Sequence, residues 1–182
     1  DQPGDFVDKM NEQAKRLGMT NTLFTQVQGS GVQDQYSTVA DTARLARELL
    51  ADPIFRNLFS YKEHFYYDAA GVNTYFENDF NIAWTVINGT TGAAINISGD
   101  ASSGVLAVTD RVRGFDYLIV FNHAYNSSSI ERNRMLISDL QQVSVAMGVT
   151  YEESRLVTAG GTYLRDQQIS GVTVDLVFLD TL

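Results

Sequence analysis

The stretch Phe6-Val-Asp-Lys-Met-Asn-Glu-Gln-Ala-Lys-Arg-Leu-Gly-Met19 decides how the whole chain is interpreted. Its apolar residues recur at intervals of three and four, with charged residues between them. This spacing predicts an amphipathic helix over residues 4–18 that Gly18 terminates. A second helix is predicted over residues 39–51, where Thr38 and Asp41 fit a capping box and Asp52-Pro53 ends the run.

The hydrophobic period changes further along the chain. Residues 54–61 predict a short helical turn, and residues 129–147 predict a third long helix with Ser128 and Glu131 as its capping box. Short β-branched or aromatic runs predict strands at residues 64–68, 84–87, 93–97, 105–109 and 117–121. The last two runs flank residues 110–116 and so predict a hairpin. The apolar side chains of the helices are assigned to the core, among them Phe6, Met10, Leu17, Leu45 and Leu49.

The chain after Gly148 has a different character. It carries strand-like pieces at residues 156–158, 163–165 and 172–179, of which the last alternates only loosely, as a well-buried strand does. We therefore predict a main domain over residues 1–148, followed at residues 149–182 by a β-rich tail or the start of a second small domain.

Composition and charge exclude several classes of function. The chain has 182 residues, of which 44% are hydrophobic, enough for one sizeable core. A formal net charge of −9 argues against nucleic acid as a partner, because binding to a phosphate backbone needs clustered Lys and Arg. With no cysteine and two histidines, the sequence predicts no metal site.

Two motifs carry a resemblance to a known family. The opening stretch continues into Thr20-Asn-Thr-Leu-Phe24, and Gln28-Gly-Ser-Gly31 is followed by Tyr36-Ser-Thr-Val-Ala-Asp-Thr-Ala-Arg-Leu-Ala46. In order, spacing and identity these segments resemble the D-alanyl-D-alanine carboxypeptidases, the low-molecular-weight penicillin-binding proteins. There the pattern reads F-V-x-x-M-N-x-x-A-x-x-L-G-M-x-x-T-x-F, then Y-S-T-A-x-D-x-A-x-L-A. The resemblance covers roughly residues 6–145.

The resemblance implies an α+β fold in which an antiparallel sheet packs against helices, as in β-lactamases and penicillin-binding proteins. It also implies that this chain represents the C-terminal part of the peptidase domain, with the β-rich tail added. An upstream region would then supply two strands and the nucleophile helix. Because an unpaired strand edge is a liability, we expect the tail strands, a second copy or a separate upstream half-chain to cover it.

The family's serine chemistry rests on three motifs, and none of them is intact in this sequence. S-x-x-K provides a serine nucleophile one helical turn from a lysine, S-x-N continues the proton network, and K-T-G binds the substrate carboxylate. The lysines are Lys9, Lys15 and Lys62, none of which has a serine three residues before it, and Ser-x-Asn does not occur. The sequence therefore identifies no catalytic residue, and the resemblance implies no cofactor.

The K-T-G motif is expected between Trp84 and Gly104, and two registers compete for it. Thr90-Thr91-Gly92 keeps the hydroxyl and the glycine but has threonine in place of the cation, and it lies about six residues too early. Ile97-Ser98-Gly99 is spaced better and also lacks lysine. We take Thr90, Thr91 and Gly92 as the candidate substrate-binding remnant. Loss of the cation removes a contact worth about 1.5 to 3 kcal/mol.

Three hypotheses about function follow. The chain is part of an active serine-type D-Ala-D-Ala carboxypeptidase, or a non-catalytic relative that binds a peptidoglycan peptide or a protein partner, or a structural module with no ligand. We rank the last two above the first for this polypeptide. The resemblance implies a bacterial protein that works outside the cytoplasmic membrane.

Overall fold

The computed structural model of the protein describes residues 3–28, 34–98, 101–125, 129–153, 162–169 and 172–178. Within these ranges the helices are α1 (Pro3–Arg16), α2 (Val39–Ala51), α3 (Pro53–Phe59), α4 (Ala83–Val86) and α5 (Ser129–Glu153). The strands are β1 (Glu63–Tyr67), β2 (Asn73–Glu77), β3 (Thr90–Ser98), β4 (Ala101–Asp110), β5 (Phe115–Tyr125), β6 (Thr162–Ile169) and β7 (Val172–Phe178). In the part of the chain so described, no helix combines the length and the apolar character that crossing a bilayer requires.

The main sheet is antiparallel and has the strand order β3-β4-β5-β7-β6. β1 and β2 form a separate two-stranded hairpin. The tail strands therefore extend the main sheet, because β7 pairs with β5 from Tyr117 opposite Phe178 to Asn122 opposite Thr173. The division of the chain after residue 148 stays a prediction.

Helices cover both faces of the main sheet, and the alternation of side chains along β4 and β5 explains why. Leu106, Val108, Ile119 and Phe121 face α4 and α5, while Ala107, Leu118 and Val120 face α2. Since successive side chains on a strand point to opposite faces, a strand buried on both sides is apolar at nearly every position. The predicted α+β fold, an antiparallel sheet packed against helices, is confirmed.

The two motifs that carry the family resemblance are tied together by hydrogen bonds. The Asn11 side chain donates to the Phe24 carbonyl oxygen at 2.7 Å and accepts from the Phe24 N–H at 2.9 Å. Asp41 is fully buried, and its carboxylate accepts from the Asn21 N–H at 2.8 Å and from the Thr22 hydroxyl at 2.8 Å. Asn11 therefore fastens the α1–α2 connection to α1, and Asp41 fastens it to α2.

Local signals predict the ends of the first helices correctly. Thr38 caps α2 by accepting from the Asp41 N–H, and Asp52 caps α3 by accepting from the Ile54 N–H. Gly18 ends the first helical segment at φ 71°, in the left-handed region that glycine enters without strain. The capping box at Ser128 and the strand at residues 156–158 lie outside the described residues.

The strand predicted at residues 84–87 is wrong, because this segment forms α4. A short apolar run does not distinguish a strand from a buried helical turn, and Ala83 just before this run and Ile87 at its end are both buried. The Asn78 side chain accepts from the Phe80 N–H in the turn just before α4. The assignment of Phe6 and Leu49 to the core is also wrong, since they are 51% and 38% exposed. Each lines an open, largely apolar cavity beside α2.

Candidate functional site

The candidate remnant of the K-T-G motif, Thr90-Thr91-Gly92, lies at the start of β3, directly after a tight turn. Gly89 turns the chain at φ 86°, and the Thr109 N–H donates to its carbonyl oxygen at 2.8 Å. The register with β4 then slips, because Thr90 is opposite Val108 while Gly92 is opposite Ala107. This β-bulge accommodates Thr91 as an extra residue, and such irregularities redirect side chains at sheet edges.

The hydroxyl group of Thr90 is hydrogen-bonded to carbonyl oxygens of the turn before it. Thr90 Oγ1 lies 2.8 Å from the Ile87 carbonyl oxygen and 3.2 Å from that of Ala83, so its proton satisfies the C-terminal end of α4. Thr90 is half-buried and lines a cavity of about 490 Å³ that also contacts Asp110, Tyr117 and Ser144.

Two ionisable groups in this cavity have shifted pKa values. For Asp110, burial acts to raise the pKa, but hydrogen bonds from the Arg113 backbone and side chain and from the Val112 N–H outweigh it and lower the pKa below its usual value. Burial raises the pKa of Tyr117, whose hydroxyl lies 2.7 Å from Ser144 Oγ. Asp110 therefore stays an anion and Tyr117 a neutral phenol near pH 7.

Thr91 borders a different cavity. Its side chain is exposed, and Oγ1 donates to the Ala107 carbonyl oxygen at 3.3 Å. The cavity has a volume of about 450 Å³ and lies between α3 and strands β3 to β5. The structure thus separates the two threonines of the remnant, because Thr90 and Thr91 line different cavities.

Gly92 is buried beneath α3. A Cβ atom at this position would lie 2.2 Å from Cδ1 of Phe59 and 3.0 Å from the Phe59 carbonyl oxygen, so only glycine allows α3 to approach β3 this closely. Because Phe59 covers Gly92, packing alone explains the glycine at this position.

The second register, Ile97-Ser98-Gly99, lies at the other end of β3. Ile97 pairs with Ser102 and Ser98 pairs with Ala101, next to the β3–β4 connection. Seven residues along a strand separate Thr90 from Ile97, a distance of about 23 Å. Gly99 lies outside the described residues.

The cavity at Thr91 contains a cation that no sequence motif identifies. Arg56 comes from α3 and lines the cavity together with Thr91 and Asp116. Its Nε donates to the Leu50 carbonyl oxygen at 2.9 Å and its Nη2 to the Ala51 carbonyl oxygen at 3.5 Å, which anchors the guanidinium at the end of α2. A guanidinium has five N–H donors, so these two bonds leave about three for a ligand. No motif marked Arg56, because it comes from a helix more than thirty residues before β3.

The serine of this cavity is held in place by its own helix. Ser60 Oγ donates to the Asn57 carbonyl oxygen at 2.7 Å at the C-terminal end of α3. A nucleophilic serine needs a neighbouring base that takes its proton. The carbonyl oxygen to which Ser60 donates is not such a base.

The comparisons with known proteins agree with the motifs and the fold. Residues 2–101 match the model of a protein family described as D-alanyl-D-alanine carboxypeptidase, which is more than half of the chain. The chain belongs to this family. It is 26% identical over 165 residues to D-alanyl-D-alanine carboxypeptidase DacC of Escherichia coli, covering 79% of this chain and 41% of that protein. It is also 46% identical over 46 residues to DacF of Bacillus subtilis, covering 25% of this chain and 12% of that protein.

Solved structures show the same fold. A variant of the Streptomyces K15 DD-transpeptidase superposes with a TM-score of 0.62 at 22% identity, covering 79% of this chain and 55% of that one. A D-alanyl-D-alanine carboxypeptidase from Mycobacterium tuberculosis gives a TM-score of 0.54 at 23% identity, with coverages of 69% and 46%. The chain therefore spans about two fifths of DacC and about half of these structures.

Proposed function

We propose that this member of the carboxypeptidase family binds the C-terminal carboxylate of a peptidoglycan stem peptide and does not cleave it. The observation that carries the proposal is that the cavity beside Thr91 contains an arginine, whereas the lysine of the K-T-G motif is missing. Threonine stands where the K-T-G lysine is expected, and its hydroxyl is bonded to α4. The cation that lines the cavity beside Thr91 is Arg56, from α3.

The chemistry of the cavity suits a peptide carboxylate. A guanidinium binds a carboxylate through two parallel N–H donors, an arrangement that a lysine ammonium does not offer. Thr91 adds an exposed hydroxyl, and Asp116 can accept a hydrogen bond from a peptide N–H. The partner in this proposal is a peptide of the cell wall, which places the protein outside the cytoplasmic membrane.

The test measures binding and acylation separately. Calorimetry with a synthetic peptide ending in D-Ala-D-Ala is expected to show binding that Arg56→Gln weakens about tenfold or more, the equivalent of roughly 1.4 kcal/mol or more. Arg56→Lys keeps the charge and is the matched control, with an intermediate loss. Thr91→Val removes only the hydroxyl, and we expect a smaller loss.

Fluorescent penicillin followed by denaturing electrophoresis and intact mass tests the catalytic alternative. We expect no covalent adduct on this polypeptide. An adduct would show that an activated serine is present, and the proposal of a non-catalytic role would fail. An adduct that forms only after an upstream half with Ser-x-x-Lys is added would favour the alternative of an active carboxypeptidase. Absence of both adduct and peptide binding would favour the structural module.

A further inference from the structure

The β1–β2 hairpin exposes an unusual set of side chains on one face. Alternation along the two strands and their register place three aromatic rings, two carboxylates and one amide on this face, which we call the ring face. Its residues are Glu63, Phe65, Tyr67, Asn73, Tyr75 and Glu77. The rings are far from buried, since Tyr67 is 75% exposed, Phe65 62% and Tyr75 46%.

The rings are held in a fixed arrangement. Phe65 lies opposite Tyr75, with ring centroids 4.7 Å apart and planes inclined by 39°. Tyr67 follows Phe65 two residues later on the same face, about 7 Å along the strand. The Tyr75 hydroxyl donates to Glu63 Oε2 at 3.0 Å. The rings and their acceptors therefore form one preorganised surface.

Both ends of the hairpin are also fixed. At the tip, Asp68 Oδ1 accepts from the N–H groups of Ala70 and Val72, both at 2.9 Å. At the base, the Asn78 side chain donates to the carbonyl oxygens of Tyr61 and Ala93, at 3.2 Å and 2.9 Å. Ala93 directly follows Gly92, so the hairpin is anchored beside the remnant strand. A two-stranded hairpin alone is marginally stable in water, and these bonds give it a defined position.

The two carboxylates on the ring face destabilise the hairpin, so their presence is not explained by a contribution to folding. Glu63 and Glu77 are directly opposite each other in the register, and like charges in such a cross-strand pair destabilise a sheet. The hydrogen bond from Tyr75 to Glu63 raises the pKa of Tyr75, and the charge of Glu77 adds to the effect. Two acceptor groups thus flank exposed rings at the expense of local stability, as at a ligand site.

We infer that the ring face of the β1–β2 hairpin binds a neutral amino-sugar oligosaccharide such as the glycan strand of peptidoglycan. Sugar rings present C–H groups that stack on aromatic faces, which carry negative charge density, and hydroxyl and amide N–H groups that donate to carboxylates. The ring face offers both partners side by side. The inference rests on the proposed function, because glycan strands carry the stem peptides.

Other occupants fit the ring face less well. A protein partner that covered the rings would also have to bury Glu63 and Glu77, and carboxylates are depleted in the cores of protein interfaces. Two carboxylates, in a chain of net charge −9, repel nucleic acid and anionic lipid surfaces. A neutral polyhydroxylated ligand satisfies the carboxylates and covers the rings together.

Calorimetry with tetra-N-acetylchitotetraose, a neutral amino-sugar oligosaccharide, tests the inference. The intact chain is expected to bind this probe, and Phe65→Ala and Tyr67→Ala each to weaken binding about tenfold. Tyr66→Ala is the matched control, because Tyr66 lies on the same strand but on the opposite face and is 47% exposed. Its glycan affinity is expected to stay within about twofold of the parent.

The outcomes separate this inference from the proposed function. Loss of glycan binding in Tyr67→Ala with unchanged affinity for the D-Ala-D-Ala peptide supports a distinct glycan site. Failure of the parent to bind tetra-N-acetylchitotetraose overturns the inference, and so does an equal loss in Tyr66→Ala. Light scattering provides a further test that could overturn the inference. If the parent is a dimer, and Phe65→Ala and Tyr67→Ala make it a monomer, the ring face binds a second copy of the chain. Arg56→Gln tests the peptide site alone and is expected to leave glycan binding unchanged.

Discussion

At the scale of single residues, the strongest family signature serves folding. Asp41 accepts hydrogen bonds from two residues of the α1–α2 connection and forms an ion pair with Arg44 at 2.6 Å. A buried carboxylate persists only when it is paired and hydrogen-bonded, so the motif around Asp41 requires the motif around Asn21. Their joint occurrence in the sequence thus reflects a physical contact.

Replacement of Asp41 is expected to loosen this connection. Asp41→Ala leaves the Asn21 N–H and the Thr22 hydroxyl without their acceptor, and we expect a loss of about 3 kcal/mol in the free energy of unfolding. Urea titration followed by circular dichroism measures it. Asp8→Ala, at an exposed position of α1, is the control, with an expected change below about 0.5 kcal/mol. Equal losses in the two variants would refute the structural role of Asp41.

At the scale of elements, the contact between α3 and β3 determines the shape of the cavity at Thr91. Phe59 rests on Gly92, and through this contact α3 brings Arg56 into the cavity at Thr91. Gly92→Ala is expected to cost about 1–3 kcal/mol, because the added methyl group overlaps the Phe59 ring. In a Phe59→Ala background the same substitution is expected to cost less, because the ring overlap is gone and only the 3.0 Å approach to the carbonyl oxygen of residue 59 remains.

A double-mutant cycle of thermal or urea unfolding measures this coupling. Gly4→Ala is the matched control, because a Cβ at that position meets no atom within 4 Å. Additive losses from Gly92→Ala and Phe59→Ala would show that some other contact holds α3 against β3.

Sequence patterns predicted these elements unevenly, for physical reasons. Caps such as Thr38 and Gly18 depend on neighbouring residues, and they were predicted correctly. The sequence does not predict α4 or strand β2. A short apolar run fits a strand as well as α4, and β2 is exposed, without a buried face to impose alternation. Arg56 could not be predicted as part of the cavity at Thr91, because its position depends on the packing of Phe59 against β3.

At the scale of the whole molecule, the sheet depends on a long-range pairing. Six residue pairs join β5 to β7, from Tyr117 with Phe178 to Asn122 with Thr173. Without them, β5 would present a row of unpaired N–H and C=O groups, which favours association between chains. The expectation that the tail covers the edge of the sheet is therefore met over the described residues.

Removal of the tail is expected to change the oligomeric state. A chain that stops after Glu153 exposes the edge of β5, and we expect it to elute as dimers or larger aggregates in size-exclusion chromatography with light scattering. The 182-residue chain under the same conditions is the control. A truncated chain that stays monomeric and keeps its unfolding midpoint would show that β7 contributes little to the sheet.

The pairing of β5 with β7 also has a consequence for the order of events during synthesis. Neighbours β3, β4 and β5 follow one another in the chain, so their hairpins close over short loops, whereas Asn122 meets Thr173 only 51 residues later. At translation speeds of about 5–20 residues per second, the edge of β5 waits roughly 3–10 s for its partner. During that interval the nascent chain offers a chaperone a long, apolar strand.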